Sequence, residues 1–454
     1  MSASSARAKQ LLELVDIVTS AAKTVITEWE KEDANPITDE SIEAKMSPRL
    51  PTFELYNARK TIIAAAGSFI ELAVEPQSRL LEVGAAYFES RALHIAAEHR
   101  VADLLAKADP NEGLSAKEIS QVIGIHPQKL ARIMRTLCSI HIFAEVQHNR
   151  FSNNTVSAAL VGNEPLRAYI IMFSLDIYHA SNYLPKTLRD PVKGQLFDVD
   201  QTAFQEAVGT KLPRWEWLEE QVPQADGTLG PRPELKIFGL AMLGGGRVYG
   251  PPLIHDFPWA SLGSKTVVDV GGGVGGLSLG LAKTYPDLKF VVQDRASVLV
   301  QGKEVWEREM PEALNTRVTL MPHNFFNENP VKGAAVYFMR YIIHDWEDDR
   351  CVDILSAIRP CLGPDSCILI ADQVMNTTLG CPELEPAPKP LPANYGYEMR
   401  FSHARDLAMM SIINGRERTP EMTRELAARS GLEVTKIWES RGCVAFTELR
   451  LPRA

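Results

Sequence analysis

The stretch that decides the fold is Thr266–Lys283, which reads TVVDVGGGVGGLSLGLAK. Its first five residues are mainly β-branched and apolar, as in a buried parallel strand, and its last seven have the composition of a helix. The glycines between them lie where the strand should end, and open α/β sheets bind ligands at the carboxyl ends of their strands. The stretch therefore predicts a ligand site at a strand-to-helix turn whose bare backbone can approach the ligand closely.

Two cofactor fingerprints overlap in this turn. Gly271, Gly273 and Gly276 match the dinucleotide pattern G-x-G-x-x-G, whereas D-x-G-x-G-x-G, which begins at Asp269, resembles motif I of S-adenosylmethionine (SAM) methyltransferases. The glycines alone do not choose between the two. Asp269 favours SAM, because a carboxylate beside the loop would repel a pyrophosphate and attract the ammonium group of SAM. An Asp269 that only accepts hydrogen bonds from loop amides would fit either cofactor.

A second acid supports an adenosine ligand without identifying it. Asp294 closes the strand-like run KFVVQD, 23 residues after Gly271. A carboxylate at this position accepts hydrogen bonds from the ribose hydroxyls of an adenosine cofactor. We favour that role over a solvent-exposed acid at a strand end.

The composition is that of a soluble protein with several domains. The 454 residues include 48 Lys plus Arg and 57 Asp plus Glu, and the resulting formal charge of −9 disfavours nucleic acid and anionic membrane as partners. The six cysteines show neither C-x-x-C nor Cys/His metal-ligand spacing, which favours free thiols in a reducing compartment. The N-terminus lacks the apolar core of a secretory signal, and no stretch is apolar enough to span a membrane. We expect a cytoplasmic protein without a membrane partner.

Residue patterning divides the chain into four regions: 1–90, 91–160, 161–260 and 261–454. The first and third are mainly helical, and the second has the helix, turn, helix and β-wing pattern of a winged helix. The fourth alternates strands and helices and ends in a hairpin, which predicts an α/β domain with a mostly parallel sheet and an antiparallel edge. The segment Gly380–Gly396 contains five prolines and is expected to be an exposed loop outside any core.

The winged-helix pattern raises the alternative of DNA binding. Lys129, Arg132 and Arg135 on its third helix favour that alternative. Glu118, Glu145 and the acidic net charge oppose it. We therefore expect no nucleic-acid partner.

The segment Met339–Cys351, MRYIIHDWEDDRC, carries a candidate catalytic residue. His344 follows a strand-like run and precedes an acidic helix start, which places its imidazole at the same sheet edge as the cofactor. Four nearby acids raise the alternative of a metal site: Asp345, Glu347, Asp348 and Asp349. We favour a first helical turn in which carboxylates complement the helix dipole, with no metal.

On these motifs the C-terminal half resembles the SAM-dependent O-methyltransferases of the caffeate and flavonoid type. It is more similar to their fungal relatives that act on polyketide phenols, such as the sterigmatocystin O-methyltransferases. The resemblance covers most of the chain, because that family carries a dimerisation region with a winged helix ahead of a Rossmann-like SAM domain. It implies a homodimer, SAM as the cofactor, and an aromatic small molecule as the methyl acceptor. Residues 161–260 would then be a helical linker that contributes to the acceptor pocket.

The resemblance also implies catalytic residues. The family's general base is the histidine of an H-D-W motif, which His344 matches. Two acids orient that histidine: Asp372, in CILIADQVM, stands where plant members have glutamate, and Glu417, in NGRERTPE, matches the second position. Asp345 is excluded from this role if the helix has begun there, because adjacent helical residues do not face each other.

Cofactor and acceptor contacts carry over in the same way. The implied cofactor-binding residues are Asp269, Gly271, Gly272, Gly273, Asp294, Asn324, Phe325 and Arg340. Asn324 stands where the family has aspartate against adenine, and its carbonyl oxygen can still accept from the adenine amino group. Met409 matches a methionine that lines the acceptor pocket, although helical spacing also allows simple core packing.

Three functions fit parts of this sequence: an NAD-dependent oxidoreductase, a non-catalytic regulator and an O-methyltransferase. An NAD-dependent oxidoreductase accounts for the glycines but not for Asp269 or the G-R-E-R-T segment. A non-catalytic regulator on this scaffold leaves the set of Asp294, His344 and Glu417 unexplained. We favour the O-methyltransferase. Because imidazole has a pKa near 6.5 and phenol near 10, full deprotonation before transfer would cost about 5 kcal/mol, which coupled proton removal would avoid.

Overall fold

The N-terminal region is helical, as its patterning predicts. The computed structural model describes residues 3–35, 49–224 and 226–453. The described residues of this region form α1 (Ala3–Ala34), α2 (Phe53–Ala73), α3 (Pro76–Ala85), α4 (Tyr87–Glu98) and α5 (Val101–Leu105). Helix α2 begins at a cap in which Thr52 Oγ1 accepts from Leu55 N. Leu14 of α1 and Ala64 of α2 are buried in one apolar cluster, which joins the two helices.

The next segment has the winged-helix arrangement. Its elements are β1 (Leu114–Ser115), α6 (Ala116–Ile123), α7 (Pro127–Ser139), β2 (Phe143–Gln147) and β3 (Arg150–Asn153). Ser115 and Glu118 form a capping box at the start of α6, and Gly124, with a φ of +78°, ends it. The guanidinium of Arg135 on α7 lies 2.8 Å from Glu145 in the hairpin. This cation is thus already paired within the winged helix.

The region that follows is again mainly helical. It contains α8 (Thr155–Ala158), α9 (Glu164–Ser174), α10 (Asp176–Thr187), α11 (Ala203–Val208), α12 (Arg214–Glu219), the hairpin of β4 (Gln221–Pro223) and β5 (Leu229–Pro231), and α13 (Pro233–His255). Helix α13 packs closely on α9 because Gly244 has no side chain: a Cβ there would lie 2.4 Å from Pro165 O. No described helix is long and apolar enough to cross a membrane.

The C-terminal region is built on a seven-stranded sheet in the order β11-β12-β10-β9-β6-β7-β8. Its strands are β6 (Thr266–Val270), β7 (Lys289–Asp294), β8 (Val318–Pro322), β9 (Val336–Arg340), β10 (Cys367–Asp372), β11 (Glu433–Trp438) and β12 (Ala445–Arg450). Its helices are α14 (Gly276–Thr284), α15 (Ala296–Glu309), α16 (Asp348–Ile358), α17 (Arg400–Ile413) and α18 (Pro420–Arg429). Strand β12 runs antiparallel to β10 and β11, and the other pairs are parallel. The predicted fold class, with its edge hairpin, is confirmed.

Side chains alternate between the two covered faces of the sheet. Val267 and Phe338 pack in one buried cluster, whereas Val268 and Tyr337 pack in another on the opposite face. This follows from the two-residue period of a strand, and it explains why the parallel strands are almost continuously apolar.

The proline-rich segment differs from expectation. Ala387 and Leu391 are buried in the cluster that contains Leu14 and Ala64, so the prediction of a loop outside any core is wrong. Prolines prevent regular hydrogen bonding, but they do not prevent apolar side chains between them from packing against helices. The loop therefore links the catalytic region to the N-terminal helices.

Candidate active site

The glycine turn between β6 and α14 has a backbone that side chains would obstruct. Gly271, Gly273 and Gly275 have φ values of +70°, +60° and +80°. A Cβ on Gly271 would lie 2.5 Å from Ile342 Cδ1, and one on Gly272 would lie 2.5 Å from the carboxyl carbon of Asp269. The turn thus needs glycine because its backbone adopts positive φ values and because a side chain on Gly271 or Gly272 would clash with a close neighbour.

The two acids near this turn have different surroundings. Asp294 Oδ2 accepts from Gly273 N at 2.8 Å, and both residues line the main cavity. Asp269 is buried beneath the loop, and its Oδ2 accepts from Ser278 Oγ at 2.6 Å. Burial raises the pKa of Asp269 to about 6, although Ser278 and the charge of Arg340 act in the opposite direction. Only Asp294 of this pair is on the cavity wall.

The other predicted cofactor contacts are close to the turn but are not equally exposed to the cavity. Arg340, the last residue of β9, lines it. Phe325 lies against Gly271, behind the wall. Asn324 Oδ1 accepts from Phe326 N at 3.1 Å, so its carbonyl oxygen here stabilises its own turn.

The cavity has a volume of about 790 Å³ and extends from the glycine turn to α17. Of the predicted residues, Gly271, Gly273, Asp294, Arg340, His344 and Met409 line it together. Its aromatic wall includes Tyr169, Phe173, Trp215, Phe238, Tyr249 and Tyr341. Most of these residues come from the mainly helical region before β6. One cavity thus joins the strand ends to an apolar, ring-lined chamber large enough for a cofactor and a small aromatic molecule.

His344 lies at this junction, in a single helical turn at Ile343–Asp345 just after β9. Its side chain is 5% exposed, and its Nδ1 is 2.9 Å from Oε1 of the fully buried Glu417 side chain. The carboxylate fixes the neutral tautomer with hydrogen on Nδ1, which leaves Nε2 as the basic nitrogen. On the other side of the ring, Nε2 is 3.2 Å from Asp345 Oδ1.

The G-R-E-R-T segment holds this turn in place through its backbone and its arginines. A Cβ on Gly415 would lie 2.5 Å from His344 O, and Arg416 N donates to that same oxygen at 2.9 Å. Arg418 Nη1 donates to Ile343 O at 2.7 Å. The segment therefore positions the main chain around His344 as well as its ring.

Burial alone would lower the pKa of His344, but the negative charges of Glu417, Asp345 and Asp372 more than offset it and raise that pKa to about 9. The pKa values of Asp345 and Asp372 are each raised to about 6, chiefly by burial, with His344 acting against the shift. The pKa of Glu417 stays below its usual value despite burial, because of His344. The imidazole is thus a stronger base than the unperturbed one assumed from the sequence.

Two sequence expectations about the acids change. The sequence excludes Asp345 if a helix has begun there, but Asp345 ends the single turn Ile343–Asp345 ahead of α16, which begins at Asp348, and its carboxylate contacts the ring. Asp372, expected to orient the imidazole, instead accepts at Oδ1 from Tyr341 N at 2.9 Å. It acts on His344 through its charge and supports Tyr341, whose φ of +56° is unusual for a non-glycine residue.

Only part of the acidic run after His344 has the expected helical position: Asp348 and Asp349 lie in the first turn of α16, whereas Asp345 contacts the His344 ring. Asp348 is the first residue of α16 and lies 2.8 Å from Arg418. Within the described part of the chain, no group of three or more Cys, His, Asp and Glu side chains is arranged to hold a metal.

Sequence reasoning missed Arg405. Its side chain is 10% exposed and lines the cavity. Its guanidinium carbon is 4.6 Å from the centre of the Tyr341 ring. A signal was present, because Arg405 and Met409 are four residues apart and so share one face of α17.

Comparisons with known proteins place this site in a family. An O-methyltransferase domain model matches residues 248–433, and an O-methyltransferase dimerisation domain model matches residues 81–163. The chain is 50% identical over 470 residues to O-methyltransferase tpcA of Aspergillus fumigatus, which covers 98% of this chain and 97% of that relative. The chain belongs to the O-methyltransferase family. This O-methyltransferase uses SAM as its methyl donor, so the resemblance inferred from the sequence is confirmed and the NAD alternative is wrong.

Solved structures show the same fold at low identity. OxaC in complex with S-adenosylhomocysteine and oxaline gives a TM-score of 0.68 at 20% identity and covers 98% of this O-methyltransferase and all of that chain. A structure titled as a pericyclic reaction enzyme gives a TM-score of 0.66 at 21% identity, over 90% of this chain and 96% of that one. The fold therefore hosts more than one reaction, and the acceptor chemistry must be argued from the site.

Proposed function

We propose that this O-methyltransferase methylates a phenolic hydroxyl of an aromatic small molecule of polyketide type, with His344 as the general base. The observation that carries the proposal is the buried pair of His344 and Glu417 on the wall of a ring-lined cavity, in which Glu417 occupies Nδ1 and Nε2 is left for an acceptor that displaces Asp345. A base with one nitrogen fixed by a carboxylate and the other available to a substrate is arranged for proton removal.

The residues around the glycine turn fit the SAM cofactor. Gly271 and Gly273 place a backbone without side chains on the cavity wall, Asp294 offers a carboxylate to ribose hydroxyls, and Arg340 lies on the same wall. When bound, SAM supplies a methyl group made electrophilic by the sulfonium to which it is attached. Asp269, Gly272, Asn324 and Phe325 would then support the turn and the adenine side from behind the wall.

His344 Nε2 would take the proton of the acceptor hydroxyl as the methyl group is transferred. With a pKa of about 9 for His344 and about 10 for a phenol, the mismatch costs about 1.4 kcal/mol, against about 5 for an unperturbed imidazole. Glu417 would stabilise the imidazolium that forms. The compensating cost is that His344 must first lose its own proton, which favours turnover at alkaline pH.

Aromatic side chains favour an aromatic acceptor over an aliphatic one. The cavity is lined by Tyr169, Trp215, Phe238 and Tyr249, and aromatic rings make offset or edge-to-face contacts with a planar ligand. Met409 lies on the same wall and can adapt to its shape.

The proposal extends to a homodimer. The dimerisation domain match begins at residue 81, where α3 carries Leu80 and Leu81 with 75% and 77% of their surface exposed. Neighbouring apolar side chains this exposed are a candidate surface for a second copy.

Incubation of the protein with methyl-labelled SAM and a panel of phenolic polyketides, read by mass spectrometry, tests the proposal. A labelled product with the methyl group on a phenolic oxygen is expected. Transfer confined to non-phenolic oxygen, or rearrangement of a compound without methylation, would contradict it.

A further inference from the structure

Arg405 is a buried cation with few partners. Its side chain is nine-tenths buried, yet within the described residues its one hydrogen bond runs from Nη1 to Tyr341 Oη at 3.3 Å. Arg418, which is also buried, donates to Ile343 O, Trp346 O and Asp348 Oδ1 at 2.7 to 2.8 Å. A guanidinium carries five N–H donors, so Arg405 retains donors that the protein does not use.

Its charge is also incompletely neutralised. The nearest carboxylate oxygen is Glu417 Oε1, 3.9 Å from Arg405 Nη2, and that oxygen is shared with His344. Arg214, the other buried arginine on the cavity wall, instead has Asp176 to itself at 2.6 Å. Desolvation of a charge without close partners is costly, which favours a ligand oxygen completing its shell.

The position of Arg405 relates that oxygen to the reacting hydroxyl. Because Glu417 Oε1 is 2.9 Å from His344 Nδ1 and 3.9 Å from Arg405 Nη2, the two nitrogens are within about 7 Å of each other. Both residues line the same cavity and both contact the Tyr341 ring. Arg405 and His344 therefore lie near each other on one wall of the cavity.

We propose that Arg405 determines acceptor specificity by binding a second oxygen of the substrate, the carbonyl oxygen of a keto group next to the methylated hydroxyl. This inference rests on the proposed function for the phenolic class of the acceptor and for His344 as its base. Arg405 donates to the carbonyl oxygen while His344 Nε2 receives the hydroxyl proton. The substrate class is thus an ortho-hydroxyaryl ketone.

The test compares two near-isosteric ligands, 1-hydroxy-2-acetonaphthone and 2-ethyl-1-naphthol, which differ in the carbonyl oxygen. Their affinities are measured by calorimetry with S-adenosylhomocysteine present, for wild type, Arg405→Met, Arg405→Lys and, as a control, the exposed Arg350→Met. The ratio of the two affinities should fall about tenfold or more in Arg405→Met, less in Arg405→Lys, and not in the control. Because Arg405 also lies near Glu417, its substitution could change the binding of both ligands equally. The ratio of the two affinities is unaffected by such a common change.

An unchanged ratio in Arg405→Met, or equal losses for both ligands, would overturn the role of Arg405. The same two compounds are also incubated with SAM. If both are methylated at rates that do not depend on Arg405, this inference is contradicted and the proposed function stands. A preference for the ketone that depends on Arg405, found without any methyl transfer, would support this inference and contradict the proposed function. Binding of neither compound to wild type would overturn this inference, and the polyketide panel would still test the proposed function.

Discussion

At the scale of single residues, the imidazole of His344 has a carboxylate on each ring nitrogen. Glu417 contacts Nδ1 and Asp345 contacts Nε2, and both charges raise the pKa of His344. In the proposed reaction the acceptor hydroxyl approaches Nε2, so Asp345 would have to share this nitrogen with the hydroxyl or give way to it.

Glu417→Gln should lower the pKa of His344, because a neutral amide stabilises the imidazolium less than a carboxylate does. In wild type, kcat/KM should rise with pH as His344 loses its proton. The midpoint of that rise should move to lower pH in Glu417→Gln, with a lower plateau. The measurement is a pH–rate profile with Glu433→Gln, at an exposed acid on the edge strand β11, as control. An unmoved midpoint would show that Glu417 does not tune the base.

The same pair should contribute to stability in a pH-dependent way. His344 has a folded-state pKa of about 9 against about 6.5 unfolded, so its stabilising contribution is full below pH 6.5 and lost as pH rises through 9. The melting temperature of wild type should thus fall from pH 6.5 to 9 more than that of Glu417→Gln. Parallel melting curves across this range would argue against the raised pKa.

The sequence was informative about which residues meet here, and less so about how. The pairing of His344 with Glu417 is predicted only by the family motifs in which they stand. The two residues are 73 positions apart, so local sequence patterns do not bring them together. The contact of Asp345 depends on where α16 begins, and a shift of three residues in that helix start reverses the prediction. Arg405 is distinguished by the partners it lacks, which a sequence does not reveal.

At the scale of elements, the glycine turn is the feature that patterning predicts best. A strand, a bare turn and a helix leave a local signature, and β6 and α14 follow it. The proline-rich segment shows the opposite case, because its burial depends on α1 and α2, more than 300 residues away in sequence.

Gly271→Ala should weaken SAM binding. The φ of +70° costs an alanine about 1–2 kcal/mol, and its Cβ would also displace Ile342. The affinity for S-adenosylhomocysteine should fall about tenfold or more, measured by calorimetry. Gly276→Ala is the matched control, because no atom lies within 4 Å of its added Cβ and its φ is not positive. Equal affinities in the two variants would contradict a cofactor role for this turn.

At the scale of the whole molecule, catalytic and N-terminal regions are joined through the proline-rich loop and through Arg441. Its guanidinium pairs with Asp256 and donates to Pro51 O at 2.7 Å. The exposed apolar side chains of α3 are not covered by these contacts, which leaves them for a second copy.

The double substitution of Leu80 and Leu81 to lysine should shift the protein toward monomer, because charges buried at an apolar interface are costly. Sedimentation velocity at several concentrations measures the shift. Leu379→Lys, at a leucine that is 92% exposed outside the dimerisation match, serves as the control. A dimer unaffected by the double substitution would place the interface elsewhere.

The central claim is that His344 removes the acceptor proton, and His344→Gln tests it most directly. Single-turnover methyl transfer should fall about 10²–10⁴-fold, since a positioned general base contributes that much, while S-adenosylhomocysteine affinity stays within about twofold of wild type. Transfer at a rate close to that of wild type, with the cofactor still bound, would contradict the account.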